Sequence, residues 1–184
     1  LDLTGIATIA DQVPLVNANR SFAKYGLEAL RSTERVGFTA LYTAAAIDRE
    51  KISSTTIGFG IAPRINAMGR LSHGLDALRL LCTNNVKRAN SLANTLSKTN
   101  VERQDMTNEL LQDAIVQAEN QRNEHIIIVH SDHYHEGVVG LIAGRLTEKY
   151  YKPAIAISTN EEMGKASARS VSGVNIVELL REVR

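Results

Sequence analysis

Through the first 120 residues apolar side chains recur mostly at helical spacing, and beyond that point the period changes. Phe22, Ala23, Leu27 and Leu30 fall at helical intervals behind Asn19, a residue type that caps helix N-termini. Two further short helices are predicted, over the alanine-dense residues 37–47 and over 75–82 after the turn Ser72-His73-Gly74. Between them, the glycine-rich residues 55–74 predict an irregular stretch. Neither glycine nor proline occurs from 86 to 120, so one long helix is expected there, about 50 Å if unbroken, with Asn84 or Asn85 as its cap. Ala89, Leu92, Ala93 and Leu96 form one apolar face of it, and Leu110, Leu111, Ala114, Ile115 and Ala118 another. The polar run 99–105 interrupts the stripe, as suits a bridge between two packed lobes.

After residue 120 short β-branched runs take over. Ile126-Ile127-Ile128-Val129 and Ala154-Ile155-Ala156-Ile157 read as buried parallel strands, joined by an amphipathic helix over 138–150. That is a βαβ unit, continued by a third strand over 165–171 and an amphipathic helix over 174–184. The expected class is therefore α/β in three parts: a helical domain over 1–85, a connector helix over 86–120 and a partial α/β domain over 121–184.

Composition narrows the function. With 184 residues, 43% of them hydrophobic and 22% charged, the chain can bury one good core or two small ones, which excludes intrinsic disorder. No apolar run approaches the roughly 18 residues that cross a bilayer, and no signal peptide opens the chain, so secretion and membrane spanning are not expected. The single cysteine, Cys82, lies in an apolar run, reads as packing and fits a reducing cytoplasm. A first residue Leu1 and a helix still running at Arg184 read as a piece of a longer protein. The 21 Lys and Arg nearly balance 20 Asp and Glu, which excludes a general electrostatic glue. Any nucleic acid must be held by a few placed arginines, and eight aromatics without tryptophan exclude an extended base-stacking platform.

Four stretches carry candidate chemistry. Arg64, Asn66 and Arg70 fall within seven residues among Gly58, Gly60 and Gly69 and suit the clamping of phosphate oxygens; they equally suit a turn with arginines paired to carboxylates. On the strand Lys165-Ala166-Ser167-Ala168-Arg169-Ser170, alternation puts Ser167 and Arg169 on one face, a hydroxyl and a guanidinium fit for a terminal phosphate or for an ordinary polar edge. The run from His130 to Gly140 lies between strand and helix, where open α/β sheets hold ligands. Its histidines suggest a metal, but His130 and Asp132 would face away from His133 and His135, so one ion does not gather all four. Asp11, before Pro14, is a metal ligand or a turn former.

In order and spacing, G-I-A-T-I-A-D-Q-V-P-L, G-F-G-I-A-P-R-I-N-A-M-G-R-L, N-V-E-R-Q, H-E-G-V-V-G-L-I-A-G-R-L and S-A-R-S resemble the bacterial RecJ single-stranded-DNA exonucleases of the DHH phosphoesterase superfamily, nearly end to end. The resemblance implies a DHH catalytic domain ending near residue 85, a connector helix bearing Asn100, Arg103 and Gln104, and a truncated DHH-associated domain. It further implies a metal-dependent nuclease that degrades single-stranded DNA from a 5′ end in repair and recombination, with two Mn²⁺ or Mg²⁺ ions activating water. Under it, Asp11 matches a metal-ligand motif and His135 a catalytic one. Arg64, Asn66, Arg70 and His135 match phosphate-contacting motifs, and Ser167 and Arg169 match a 5′-phosphate pocket. A helicase and a single-strand-binding protein are the partners implied.

The chain also departs from the family. Ala166 and Ala168 stand where glycines are usual, and D-x-D and D-H-H are absent, so the segment alone is not expected to bind the ion pair or to be active. Two other readings remain open: a phosphodiesterase of short oligonucleotides or dinucleotides, and a non-catalytic DNA-binding scaffold.

Overall fold

A computed structural model describes residues 1–159 and 163–182. Contacts divide the chain into two compact units, Leu1–Val101 and Glu102–Arg184. The division falls inside one 34-residue helix, α6 (Val86–Glu119). Asn85 starts it, its side-chain oxygen accepting the Arg88 N–H at 2.9 Å.

The first unit is helical: α1 (Asp2–Ala10), α2 (Asn17–Ser32), α3 (Val36–Ala44), α4 (Ala62–Leu71) and α5 (Gly74–Cys82), with the start of α6. Its core gathers Leu30, Phe38, Leu41, Ile57, Ile61, Met68 and Leu80, all essentially buried, with Ala89, Ala93 and Leu96 of α6. α2 begins before Asn19, whose side-chain amide instead donates to the Pro14 carbonyl at 3.1 Å. Its buried face is Ala23, Gly26 and Leu30, while Phe22 is exposed. Gly26 and Gly5 let α2 and α1 touch backbone to backbone: a methyl on Gly5 would lie 2.6 Å from the Gly26 Cα.

The glycine-rich stretch is not irregular. Thr56–Ile61 forms a π-helical turn that runs directly into α4, with Pro63 tolerated in its first turn. Ile57, Ile61, Ile65 and Met68 recur at three- and four-residue intervals and pack on the core, and that burial outweighs the helix-weakening glycines. Cys82 also differs from expectation: it is the last residue of α5, and its thiol is exposed rather than packed.

The second unit holds a three-stranded sheet in the order β1 (Ile127–Ser131), β2 (Ala154–Ser158), β3 (Lys165–Arg169). β1 and β2 are parallel and joined through α7 (Glu136–Tyr150), and β3 runs antiparallel to β2. α8 (Ile176–Glu182) follows; positions 183 and 184 of the expected terminal helix lie outside the described residues. β2, in the middle, is buried on both faces, but β1 alternates: Ile127 and Val129 are buried while Ile128 and His130 are exposed. An edge strand covered on one face gives that pattern.

The free edge of β1 is closed by side chains. Gln121, in the turn just after α6, donates from Nε2 to the Ile128 carbonyl at 2.8 Å and accepts the Ile128 N–H at Oε1, 2.9 Å. One helical turn earlier, Gln117 does the same for His130, at 3.0 and 3.1 Å. Residues four apart on a helix rise about 6 Å, close to the two-residue repeat of a strand, so two glutamine amides act as a substitute strand.

Candidate nucleic-acid interface

Two groups of site residues emerge, one in each unit. In the first, α4 separates the arginines. Asn66 and Arg70 are four residues apart and share a face, Asn66 exposed and Arg70 half-buried, whereas Arg64 points nearly the opposite way. Its guanidinium donates to the Gly60 carbonyl at 2.6 Å and to Ser97 Oγ at 3.3 Å, and burial lowers its pKa from the ordinary arginine value. Arg64 thus ties the π-helical turn to α6. Asp11 is exposed just beyond the last turn of α1, its backbone N–H donating to the Ala7 carbonyl at 3.0 Å.

The second group lies where β3 meets α7. Lys165, Ser167 and Arg169 alternate along β3 and so share one face of the sheet. Along α7, Glu136 and Gly140 are one turn apart and meet that face. Lys165 pairs with Glu136, and this contact holds the Glu136 carboxyl below its usual range. A methyl on Gly140 would lie 3.0 Å from Ser167 Oγ and 3.5 Å from Arg169 Nη2, so glycine here admits both side chains beside the helix. Arg169 Nη1 donates to the Ala168 carbonyl at 2.9 Å and stands 3.5 Å from Ser167 Oγ. Ala166 and Ala168 pair with Ile157 and Ile155 and point to the other face, so these replacements leave the Ser167 and Arg169 face uncrowded.

His135 is the cap of α7. Its Nδ1 accepts the Gly137 N–H at 3.0 Å, which fixes the neutral tautomer with the proton on Nε2. Ser167 and Arg169 thus set a hydroxyl and a guanidinium side by side against Gly140 of the 15-residue α7, a donor pair of the kind that can take an anion. His133 and His130 are exposed and take no part.

Among the described residues, no group of three or more His, Cys, Asp or Glu side chains is placed to hold a metal ion. A lone carboxylate at Asp11 does not fit a pair of divalent ions, which need many oxygen ligands.

Sequence reasoning did not find Lys165, Glu136 and Gly140 as partners, nor Asp113 and Gln117 of α6 with Gln121 just beyond it.

Residues 103–184 match the DHHA1 domain family. Over its whole length the chain is 40% identical to the single-stranded-DNA-specific exonuclease RecJ of Bacillus subtilis, covering 24% of that protein. It is 30% identical to the RecJ of Escherichia coli, covering 33%. The crystal structure of RecJ in complex with Mg²⁺ from Thermus thermophilus superposes with a TM-score of 0.88 at 32% identity, over 99% of this chain and 28% of that one. A RecJ bound to manganese superposes with a TM-score of 0.82 over 98% of this chain and 44% of that one. Among the described residues no helix is long and apolar enough to cross a membrane. Residues 103–184 thus carry a DHHA1 domain, and the chain is similar to RecJ in sequence and fold from end to end while spanning a quarter to a third of those curated relatives in length.

Proposed function

We propose that this segment positions single-stranded DNA in a metal-dependent exonuclease that hydrolyses phosphodiester bonds from the 5′ end and releases 5′-mononucleotides in repair and recombination. The observation that carries the reading is the pairing of Ser167 and Arg169 on one face of β3 against Gly140 of α7. A terminal phosphate carries one more negative charge than an internal diester, and a guanidinium beside a hydroxyl recognises that difference. His135 contributes its Nε2–H at the start of α7, and Asn66 and Arg70 on α4 supply a second place for backbone phosphates. Arg64 contributes by holding the turn before α4.

In this reading Asp11 is the one carboxylate the segment brings to a Mn²⁺ or Mg²⁺ centre completed by the rest of the protein, and the 184-residue chain alone releases no mononucleotides. The enzyme works in the cytoplasm on strands opened by a helicase and shared with a single-strand-binding protein. One clean test uses full-length protein and two oligonucleotides that differ only in a 5′-phosphate. Arg169→Ala should lower the preference for the phosphorylated strand about tenfold, the worth of one charge-assisted hydrogen bond. Unchanged preference would remove the phosphate role. Asp11→Ala should abolish turnover yet keep DNA binding; retained turnover would dismiss Asp11 as a ligand.

A further inference from the structure

The most constrained residue near the proposed phosphate receptor does not belong to it. Tyr134 is fully buried in the four-residue link between β1 and α7, immediately before the capping His135. Its hydroxyl donates to Asp113 Oδ2 at 2.7 Å and accepts from Gln117 Nε2 at 3.3 Å, both on α6. Its carbonyl accepts the buried Ser158 hydroxyl at 2.5 Å, at the end of β2. Burial and the Asp113 carboxylate both push the phenol pKa up, so the ring stays neutral and keeps its proton on the Asp113 bond. Gln117 also donates to Asp113 Oδ2 at 2.8 Å, so the group that closes the β1 edge and the group that anchors Tyr134 are one network.

Such anchoring exceeds what a turn needs. The backbone of the link is already tied by Thr159 N–H to the Ser131 carbonyl at 3.1 Å and by His133 N–H to Ser131 Oγ at 3.1 Å. Packing a tyrosine under the link fixes the position of the next residue, His135, and with it the start of α7, whose Glu136 and Gly140 meet β3. We infer that Tyr134, held by Asp113 and Gln117, is a positioning residue for recognition of the 5′-terminal phosphate: it sets the height of the α7 N-terminus against Ser167 and Arg169. This rests on the phosphate reading above. The ring touches no reacting atom; its effect is on where the receptor groups stand.

The experiment measures KM and kcat of full-length protein on matched 5′-phosphorylated and 5′-hydroxyl single strands. Tyr134→Phe keeps the buried ring and loses the hydroxyl. The expected result is a KM raised about fivefold for the phosphorylated strand alone, with kcat held within about twofold. Asp113→Ala should do the same from the helix side without touching the buried ring, while Asp113→Asn keeps an acceptor and should retain wild-type discrimination. In a folded chain the Gly137 amide should exchange faster in Tyr134→Phe and Asp113→Ala and stay unchanged in Asp113→Asn. Equal losses on both strands, or wild-type discrimination in Tyr134→Phe and Asp113→Ala, would overturn the positioning role. Arg169→Ala, run alongside, separates the two ideas: discrimination lost there but intact in Tyr134→Phe overturns positioning alone, and discrimination intact in Arg169→Ala overturns the phosphate reading and the positioning role together.

Discussion

Asp2 shows how a single carboxylate can be costly and useful at once. It is almost buried, which opposes ionisation, yet the Leu3 N–H at 2.8 Å, the Arg35 guanidinium at 2.8 Å and the Thr33 hydroxyl at 3.2 Å outweigh that and hold its pKa below the ordinary value. A carboxyl whose folded pKa is depressed adds stability above its unfolded pKa, about 3.9, and loses it as pH falls through the folded one. The helical unit should therefore lose stability below about pH 4, and Asp2→Asn should flatten that part of a melting-temperature profile while lowering stability at neutral pH. A profile that falls equally steeply in the variant would assign the acid sensitivity elsewhere. At the same scale, Arg64 shows why residue type alone misleads. Its guanidinium donates to a carbonyl and a hydroxyl inside its own unit, so one of the six candidate phosphate binders is engaged in holding the scaffold.

Two contacts between elements decide the rest. α1 and α2 approach at Gly5 and Gly26, where a methyl on Gly26 would collide with the Gly5 backbone. Gly26→Ala should push the helices apart and cost about 1–3 kcal/mol, read as a lower urea midpoint with an unchanged slope. At β1, Gln117 and Gln121 satisfy four backbone groups of an edge strand. Gln121→Ala returns the Ile128 N–H and carbonyl to water, so that amide should exchange faster, and the exposed edge should raise self-association at high concentration. Unchanged exchange at Ile128 would show the clamp to be incidental. The βαβ unit and α6 are legible from pattern because burial there follows a single period: Val129, Ile142 and Ala156 inside the second unit, Ala89, Ala93 and Leu96 on one stripe. Residues 55–71 are not, because four glycine or proline positions signal a loop while the stripe Ile57, Ile61, Ile65 and Met68 signals a helix, and tertiary burial decides between them. The glutamine clamp is illegible for a different reason: it joins residues 7 and 13 positions apart through side-chain amides, which no periodicity encodes.

For the molecule as a whole, the near-zero net charge becomes a quantitative expectation. With 21 basic and 20 acidic residues, no general field draws in DNA, and several of the cations are paired locally, such as Lys165 with Glu136, Arg35 with Asp2 and Arg79 with Asp76. Binding through a few placed groups releases few counterions. Each phosphate contact on a single strand adds about 0.7 to the slope of log K against log salt, so the contribution of this segment should be a slope of about 1 to 2 rather than the steep dependence of a basic tail. Removing Arg169 should flatten the slope of the full-length protein by about 0.7 for strands with a 5′-phosphate, and by much less for strands with a 5′-hydroxyl, where its partner is missing. Lys165→Ala should change it little on either strand, because Glu136 already neutralises that ammonium. Anisotropy titrations of both oligonucleotides from 50 to about 300 mM salt read these slopes directly. If Lys165→Ala flattened the slope as much as Arg169→Ala, the cation that meets the phosphate would be the lysine released from its carboxylate, and the receptor would have to be redrawn around the first turn of α7.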